Sequence, residues 1–279
     1  ELIMEAEAIA LRRADGKVIG VDAKTATGSL QVTCDLVLGC DGRHSLVRRE
    51  TGLPVEDLGA PMDVLWFRLP RKPTDPDEPV GSFGAGHILV GLNRTDYWQC
   101  GFVIAKGSLD AIKALGLDSI RDAIVKLAPF LADRTAEITS FDDFRLLTVG
   151  VDRLTTWHRP GVLCIGDAAH TMSPIGGVGI NLAIQDAVAA ANQLAQPLRD
   201  RRLNDADLAA VQARRLLPTR IVQWLQVQIQ RRVITGVLGS ASQLDPPLLL
   251  RLIARWPLLA RIPAYLLGLG YRRERVRNI

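Results

Sequence analysis

The first forty residues alternate between hydrophobic and polar positions, which is the pattern of half-buried β-strands. Alternation of this kind, interrupted by glycine-containing pairs, predicts short strands joined by tight turns. The strands are Ala6–Arg12, Val18–Ala23 and Ser29–Thr33, and the turns fall at Asp15-Gly16 and Thr27-Gly28.

Two continuous apolar runs stand apart from this alternation, and each predicts a short strand buried on both faces. The first, Asp35–Gly39, is followed by a Cys-Asp-Gly turn and by the start of a helix over Ser45–Thr51. The second, Gly161–Ile165, leads through a glycine-rich loop into an Ala-rich helix from about Asn181 to Ala195. Both runs therefore predict a strand, a loop and a helix.

Residues 55 to 150 have a different texture, with frequent prolines and with apolar segments that predict an antiparallel sheet and helices. The predicted strands are Val64–Leu69, His87–Leu92, Tyr97–Ala105 and Glu137–Phe141, and the predicted helices are Ser108–Leu115 and Ser119–Leu127. The pattern indicates an α+β unit inserted between two parts of an α/β domain.

The chain after residue 195 is predicted to be helical, with breaks at prolines. These are Pro218, Pro246-Pro247, Pro257 and Pro263. The resulting organisation is a first α/β part over 1–54, an inserted unit over 55–150, a second α/β part over 151–240 and a helical tail over 241–279.

Length and composition limit the classes of protein that remain. The chain has 279 residues, enough for one large or two ordinary domains. Its 4 cysteines form no CxxC pair, which excludes a disulfide scaffold and a cysteine-rich zinc site and predicts a reducing cytoplasm. The sequence shows neither a run of 18 apolar residues nor a signal peptide. His44 and His158 lack a second ligand at metal spacing, so no metal site is expected.

The net charge of +4 hides a basic C-terminal part, with 15 Lys and Arg against 5 Asp and Glu from Arg199 onward. Such a tail could face an acidic partner, a membrane surface or nucleic acid. We favour an arginine-decorated helical surface whose aliphatic stems cover apolar area. No motif supports nucleic-acid binding. Peripheral membrane contact and a homodimer stay open.

The first candidate site follows the run Asp35–Gly39, where an acid and a glycine precede a helix. Gly42 would let a ligand approach the backbone, the helix N-terminus would offer N–H donors, and Arg48 would supply a cation. This chemistry suits a polar or phosphorylated ligand at the carboxyl end of a strand. A plain strand–turn–helix connection explains the same residues.

The second candidate site is the segment Gly161–Ala187, which is far more specific. A strand ends in Gly166-Asp167, and a loop with a proline and three glycines feeds a helix. The acid can bind the hydroxyls of a sugar alcohol. The glycines expose N–H groups, and the helix adds its positive dipole end, so the loop can stabilise negative charge on a ring.

Both segments resemble the DG and GD motifs of the para-hydroxybenzoate hydroxylase family, the FAD-dependent aromatic hydroxylases. The order also resembles that family: DG motif, inserted sheet domain, GD motif and helical C-terminus. The resemblance implies a Rossmann-like flavin-binding fold, FAD as cofactor, and NAD(P)H and O2 as cosubstrates.

The resemblance also assigns roles to matching positions. Asp167 would bind the ribityl hydroxyls, and Pro174 would lie beside the flavin ring where O2 reacts, as the candidate catalytic residue. Asp41 would serve both FAD and NAD(P)H, and Arg48 would support the nucleotide site. The implied cofactor-binding set is Asp41, Gly42, Arg48, Gly166, Asp167, Gly176, Gly177, Val178, Gly179, Ile180 and Asn181.

One departure from the family is large. The GxGxxG turn and the acidic residue about 20 positions after it are missing, and the glycines between Gly81 and Gly86 have the wrong spacing. The sequence also starts without Met. We therefore interpret it as an N-terminally truncated chain that has lost the ADP half of its site and binds FAD weakly or not at all.

The resemblance implies that the inserted unit covers the aromatic substrate, so its sheet is expected to carry substrate-binding residues. Trp66 with Arg68, and Tyr97 with Gln99, lie two apart on predicted strands, so each pair projects from one sheet face. On the cavity side they would contact substrate, and on the other side they would be ordinary surface or core. For His170 a structural hydrogen bond is favoured over a catalytic base.

The function implied is an FAD-dependent monooxygenase that uses NAD(P)H and O2 to hydroxylate an aromatic or related ring. Two alternatives remain open at this stage. One is a flavin-dependent oxidoreductase that does not hydroxylate, and the other is a non-catalytic fragment without bound FAD. A halogenase is disfavoured because the Trp-x-Trp-x-Ile-Pro signature is missing.

Overall fold

The computed structural model describes residues 1–84, 86–238, 261, 265 and 270–277. These residues form two compact units. Unit 1 contains Glu1–Gly59, Gly150–Gln226 and the described residues beyond 260. Unit 2 contains Ala60–Val149 together with residues 227–238.

The described strands and α-helices are numbered in chain order. The strands are β1 (Glu7–Ala14), β2 (Lys17–Thr25), β3 (Gly28–Thr33), β4 (Val37–Gly39), β5 (Val55–Asp57), β6 (Met62–Pro70), β7 (Val80–Gly84), β8 (His87–Asn93), β9 (Tyr97–Ala105), β10 (Arg145–Leu147), β11 (Asp152–Leu154), β12 (His158–Arg159), β13 (Val162–Cys164) and β14 (His170–Thr171). The helices are α1 (Leu46–Thr51), α2 (Leu109–Ala114), α3 (Leu117–Leu127), α4 (Gly179–Arg199), α5 (Asp205–Ile229) and α6 (Thr235–Leu238).

Unit 1 begins with the antiparallel sheet β1-β2-β3, so the three predicted N-terminal strands are confirmed. The turn between β1 and β2 places Asp15 at φ 49° and Gly16 at φ 76°. Two successive residues at positive φ match the twist of a tight hairpin, and Asp-Gly is a pair that adopts this conformation at low cost.

The two apolar runs pair with each other in parallel, in the sheet β12-β13-β4. Val162 lies opposite Val37, and Cys164 lies opposite Gly39. Every residue of β13 is buried, as predicted. The expectation of burial on both faces is wrong for β4, because Leu38 is 44% exposed. The two faces of β4 differ, because Val37 and Gly39 are buried on the core side and Leu38 projects from the opposite side.

The core of unit 1 collects apolar side chains from two of its chain segments, Glu1–Gly59 and Gly150–Gln226. Its buried members are Leu11, Val18, Val37, Val47, Leu53, Leu154, Trp157, Val162, Leu163, Cys164, Ile165, Ala168, Ala169, Ala190, Leu194, Leu208 and Val211. Because these residues are so far apart in sequence, β4 and β13 are fixed by packing from α1, α4 and α5 rather than by their own few residues.

Unit 2 is built on the antiparallel sheet β10-β6-β9-β8-β7, with α3 and two 3₁₀ segments on its core face. The predictions for β6, β8, β9, α2 and α3 are confirmed. The predicted strand over Glu137–Phe141 is wrong, because 3₁₀ segments occupy Pro129–Glu137 and Phe141–Asp143. Ser140 and Asp143 form a capping box there, and local side-chain-to-backbone bonds of this kind compete with strand pairing. Strands β7 and β10 were not predicted.

Helix α5 continues through Pro218, so the predicted break at that residue is wrong. A proline inside a helix costs about 3 kcal/mol, through a lost hydrogen bond and a clash of its ring with the preceding turn, but tertiary packing decides the stability of most helices. Pro218 and the neighbouring Thr219 are both buried. Similarly, α4 starts at Gly179, two residues before the prediction, and runs through Pro197. The breaks expected at Pro246-Pro247, Pro257 and Pro263 lie outside the described residues.

The described C-terminal segment 270–277 packs against helix α4 of unit 1 in a non-helical conformation. The amide group of Asn192 donates to the Arg275 carbonyl at 2.9 Å and accepts from the Arg277 N–H at 3.0 Å. This part of the basic tail therefore lies on the α/β unit of its own chain. Among the helices that the structure describes, none is both long enough and apolar enough to cross a bilayer.

Candidate functional site

The DG and GD motifs meet because their strands are parallel neighbours, and the carboxyl ends of parallel strands lie at one edge of a sheet. Each motif follows its strand directly, so Gly42 and Asp167 lie at the same edge. Between them is a cleft of about 490 Å³. Its lining residues are Cys40, Gly42, Ile165, Gly166, Asp167, Ile180, Ala183, Ile184 and Ala187.

On the DG side, Asp41 and Ser45 hold the beginning of α1. The Val47 N–H donates to Asp41 Oδ2 at 3.2 Å, and the Arg48 N–H donates to the Ser45 hydroxyl at 2.9 Å. These bonds satisfy two of the N–H groups that a helix leaves unpaired at its N-terminus. Asp41 is itself exposed beside the cleft, and Gly42 lines it at φ 78°.

The Arg48 side chain pairs with an acid on a neighbouring sheet, and its role at the nucleotide site stays a prediction. Its two terminal nitrogens donate to the carboxylate of Asp152 at 3.1 and 3.0 Å, in a bidentate pair. Because Asp152 belongs to β11, the pair ties α1 to the sheet that contains β14. Arg48 also lines a second pocket of about 370 Å³. The other residues around it are Arg43, His44, Ser45, Arg49, Gly52, Leu53 and Val55.

On the GD side, Gly166 makes a turn that a larger residue would disturb. Its φ is 58°, and a Cβ there would lie 3.0 Å from the Ala183 Cβ of helix α4. Its N–H donates to Asp186 Oδ2 at 3.1 Å. Asp167, the next residue, is half-buried in the cleft lining and forms no ion pair with any described residue. Its carboxylate is therefore free to accept hydrogen bonds from a ligand.

Beneath this turn lies a fully buried group of charged side chains that the sequence reasoning missed. Asp186 accepts from Arg215 Nε at 2.9 Å and contacts His170 Nε2 at 2.6 Å. Burial alone raises the pKa of Asp186, but His170 and Arg215 outweigh it and lower that pKa below its usual value. The indole of Trp157 lies 5.1 Å from the His170 ring. This geometry fits the structural role favoured for His170.

The loop between β14 and α4 carries the remaining residues of the motif. Pro174 is half-buried, and Gly176 and Gly177 are exposed at φ 78° and 62°. Val178 precedes the helix and is buried together with Leu182 and Val222. Within the described residues no side chain caps the start of α4. The N–H groups of Gly179 and Ile180 can therefore face an anionic or electron-rich partner.

The other helix-start residues have distinct surroundings. Gly179 and Asn181 are half-buried, whereas Ile180 is exposed and lines the cleft one turn before Ile184. An apolar strip on α4 therefore faces the polar edge formed by the two motifs. A cleft with one apolar wall and a few convergent polar groups is typical of cofactor and small-molecule sites.

In unit 2 the four candidate substrate residues all project from the sheet face opposite the core. Trp66 and Arg68 alternate with core residues of β6, and Tyr97 and Gln99 do so on β9. The Arg68 guanidinium stacks on the Tyr97 ring at 4.9 Å. Gln99 accepts from Arg94 Nε at 3.0 Å. The prediction that each pair shares one face is confirmed.

A cavity of about 520 Å³ in unit 2 contains three of these four residues. It is lined by Trp66, Phe67, Arg68, Gln99, Glu137, Ile138, Asp142, Asp143 and Arg145. Tyr97 is outside this lining. Charged side chains of both signs lie around it, among them Arg68, Glu137 and Arg145. Within the described residues no cluster of three or more His, Cys, Asp or Glu side chains could hold a metal ion.

The parallel strand pair, the glycine turn and the free acid at the strand ends define a nucleotide-cofactor-binding α/β unit with an inserted antiparallel domain. Comparison with known families makes this specific. The FAD binding domain family matches residues 2–225, and the chain belongs to that family.

Among known proteins, the chain is similar to the 6-methylpretetramide 4-monooxygenase of Streptomyces rimosus, at 36% identity over 244 residues. The match covers 87% of this chain and 58% of that enzyme. In structure it is similar to PqsL, a probable FAD-dependent monooxygenase from Pseudomonas aeruginosa, with a TM-score of 0.65 and 24% identity, covering 84% of this chain and 64% of PqsL. It is also similar to CabE, an aromatic hydroxylase from angucycline biosynthesis, with a TM-score of 0.68 and 20% identity, covering 96% of this chain and 53% of CabE.

These matches show the fold, an α/β flavin-binding domain interrupted by an α+β domain. The chain spans less than two thirds of the length of each of these relatives. The residues of the cleft also fit a flavin. Asp167 offers an unpaired carboxylate for sugar-alcohol hydroxyls, the loop and the start of α4 offer N–H donors, and Gly42 leaves open space beside its backbone.

Proposed function

We propose that the protein is an FAD-dependent monooxygenase that uses NAD(P)H and O2 to hydroxylate an aromatic ring. The observation that carries the proposal is the cleft at the ends of β4 and β13, where Asp167 and the N-terminus of α4 converge. The names of the Streptomyces relative and of CabE, a monooxygenase and an aromatic hydroxylase, support the reaction class.

In this proposal the chain's own residues bind and orient the cofactor. Asp167 accepts hydrogen bonds from the ribityl chain, and the N–H groups at the start of α4 face the electron-rich end of the ring system. Pro174 would lie beside the ring, and because proline has no backbone N–H it would offer no hydrogen-bond donor there. The cofactor, reduced by NAD(P)H, supplies the electrons with which one oxygen atom of O2 enters the substrate and the other leaves as water.

The substrate's place is proposed on the face of the unit 2 sheet that carries Trp66, Arg68, Tyr97 and Gln99. The Arg68–Tyr97 stack presents a flat, partly aromatic surface, and Gln99 adds a polar group. Aromatic rings pack on such surfaces with offset or edge-to-face geometry. The reducing cytoplasm is the proposed compartment, in keeping with the four unpaired cysteines.

Replacing the free acid tests the proposal. Asp167→Ala in the complete gene product should weaken FAD binding by about tenfold or more, because a loss of two hydrogen bonds from a charged acceptor is worth at least 1.4 kcal/mol. Flavin-fluorescence titration measures the affinity. Asp35→Ala is the matched control, since Asp35 is exposed and outside the cleft lining.

An assay of substrate oxidation then distinguishes a monooxygenase from an oxidoreductase that does not hydroxylate. With an aromatic substrate, oxygen uptake equal to NAD(P)H oxidation and to hydroxylated product supports the proposal. Flavin reduction without incorporation of oxygen would instead show an oxidoreductase that does not hydroxylate. A wild-type gene product that binds no flavin would contradict the proposal altogether.

A further inference from the structure

Helix α5 carries a fully buried row of polar side chains on one face. Arg215, Thr219, Gln223 and Gln226 follow at intervals of four, four and three residues, which is the spacing of one helical face. Buried polar groups cost free energy unless they are hydrogen-bonded. The row therefore needs partners, and the structure shows where they are.

Three of these four side chains bond to the GD segment, whereas Thr219 donates to the Arg215 carbonyl of its own helix. Arg215 binds Asp186, the residue that holds the Gly166 N–H. Gln223 donates through Nε2 to the Thr171 carbonyl at 3.0 Å and to the Asp152 carbonyl at 2.7 Å. One face of α5 thus contacts the motif from its turn to its loop.

Gln226 makes the bonds that lie nearest the proposed flavin ring. Its Oε1 accepts from the Ser173 N–H at 3.1 Å, and its Nε2 donates to the carbonyls of Ser173 and Ile175, both at 2.9 Å. These three bonds enclose Pro174 from both sides. Pro174 has no N–H of its own, and the following glycines have few conformational restraints.

A carboxamide is the group that these bonds require. The site needs one acceptor and two donors at the end of a side chain long enough to reach from α5, and glutamine supplies all of them. A carboxylate would keep the acceptor but lose both donors. An aliphatic side chain of similar size would fill the space and leave one N–H and two carbonyls without their partner.

We propose that Gln226 is a positioning residue for the Pro174 loop, fixing the backbone over Ser173–Ile175 and with it the approach to the start of α4. The proposal rests on the proposed function, because the loop is the part of the cleft assigned to the flavin ring. Gln226 itself acts through the loop and not by contact with the reacting atoms.

Gln226→Leu tests the proposal, and Gln212→Leu is the matched control. Gln212 lies on the same helix and also makes two bonds to backbone, accepting from Trp157 N–H at 2.9 Å and donating to the Thr155 carbonyl at 2.8 Å. Gln226→Glu is a second variant that preserves size. Two measurements are made on the complete gene product: hydrogen exchange of the amides at 173–179 without flavin, and the affinity and absorption spectrum of bound FAD.

We expect Gln226→Leu to speed exchange at 173–179 and to weaken FAD binding by about tenfold, with a shifted flavin spectrum, since a buried network loses three bonds. Gln226→Glu should keep protection at Ser173 better than the leucine variant does. Gln212→Leu should leave both the loop and the spectrum unchanged.

Three results would overturn the proposal. Loop exchange could stay as in the wild type, the flavin spectrum and affinity could stay unchanged although the loop loosens, or Gln212→Leu could have the same effects, which would indicate general destabilisation. Absence of flavin binding by the wild type would defeat the proposed function instead. In that case the exchange measurement still decides whether Gln226 holds the loop.

Discussion

Asp186 illustrates how the turn beside the cleft depends on a residue that lies outside the cleft lining. Its carboxylate is fully buried and binds three groups, the Gly166 N–H, His170 and Arg215. An unpaired charge in such a place would be very costly, so each partner is needed for the others to remain there. The conformation of the GD turn is therefore set by side-chain electrostatics one layer below it.

Replacement of this carboxylate by an amide provides the first residue-scale prediction. Asp186→Asn should destabilise the protein by about 3 kcal/mol, because the buried Arg215 loses the carboxylate bonded to its Nε and keeps only Glu274, 3.7 Å from its Nη1. Urea unfolding monitored by circular dichroism measures the change. The control Asp200→Asn alters a partly exposed carboxylate that pairs with Arg202, and it should cost about 1 kcal/mol or less. Equal losses in the two variants would contradict this account of Asp186.

In unit 2 the buried Asp75 predicts a dependence of stability on pH. Burial raises the pKa of Asp75, but bonds from Arg134, the Lys72 N–H and the Trp98 indole outweigh this and lower the pKa to about 2. A folded-state pKa below the unfolded one makes the folded state more stable at high pH. The contribution is fully present above about pH 4 and is lost as the pH falls towards 2.

The test compares the wild type with Asp75→Asn in urea at several pH values, using tryptophan fluorescence. The wild type should lose stability as the pH falls from about 4 towards 2. The amide variant should start less stable and lose less over this range, because it has no carboxyl group to protonate at this position. Parallel curves for the two proteins would show that Asp75 does not carry this part of the acid sensitivity.

At the scale of elements, the close contact between β4 and α1 predicts the effect of a single methyl group. A Cβ at Gly39 would lie 2.9 Å from both Cβ and Cγ1 of Val47 and 3.2 Å from Cys164 Sγ. Gly39→Ala must therefore push α1 away from the strand or shift β13. We expect a loss of about 1–3 kcal/mol in the free energy of unfolding, which is typical of overpacking in a core.

A second glycine-to-alanine substitution separates the effect of crowding by the new methyl group from the effect of alanine on the backbone. Gly150→Ala adds the same methyl group where the nearest atom, Thr171 Oγ1, is 4.0 Å away. It should change the unfolding free energy by less than about 1 kcal/mol. Chemical denaturation of both variants gives the comparison. If Gly150→Ala costs as much as Gly39→Ala, contact with α1 is not the cause.

The same elements show how far the sequence predicts the fold and the site. Apolar runs identified β4 and β13, and residues at strand ends identified both sides of the cleft, because parallel neighbours share an edge. The polar face of α5 was missed, since buried glutamines look like surface residues until their backbone partners are known. The exposure of Leu38 and the 3₁₀ segments near Phe141 also depend on packing and capping that lie outside a periodicity argument.

At the scale of the whole molecule, unit 1 is assembled from segments that are far apart in the chain. The C-terminal residues return to α5, where Glu274 is largely buried and accepts from Arg214 Nε at 2.6 Å. The Arg272 carbonyl accepts from Arg215 Nη1 at 3.2 Å. The end of the described chain thus completes the surroundings of the arginine that binds Asp186.

These contacts between the C-terminal segment and α5 predict the effect of removing the Glu274 carboxylate. Glu274→Ala should lower the free energy of unfolding by about 2 kcal/mol, the usual value for hydrogen bonds to charged groups. It should also speed tryptic cleavage between Arg272 and Arg277 in the native protein. Glu78→Ala, at an exposed position of unit 2, is the control. Unchanged cleavage in Glu274→Ala would show that other contacts hold the segment.

The positions of the cysteines allow ligand binding in the cleft to be measured by alkylation. Cys40 is exposed at the cleft, Cys34 is half-buried outside its lining, and Cys100 and Cys164 are fully buried. Burial and the neighbouring Asp41 raise the pKa of Cys40, so alkylation should be slow at neutral pH and faster in mild alkali. Bound cofactor should shield Cys40 and leave Cys34 as an internal reference. Mass spectrometry would give the ratio of alkylated Cys40 to alkylated Cys34. A lower ratio would show that the cleft is occupied, without any optical signal from the ligand.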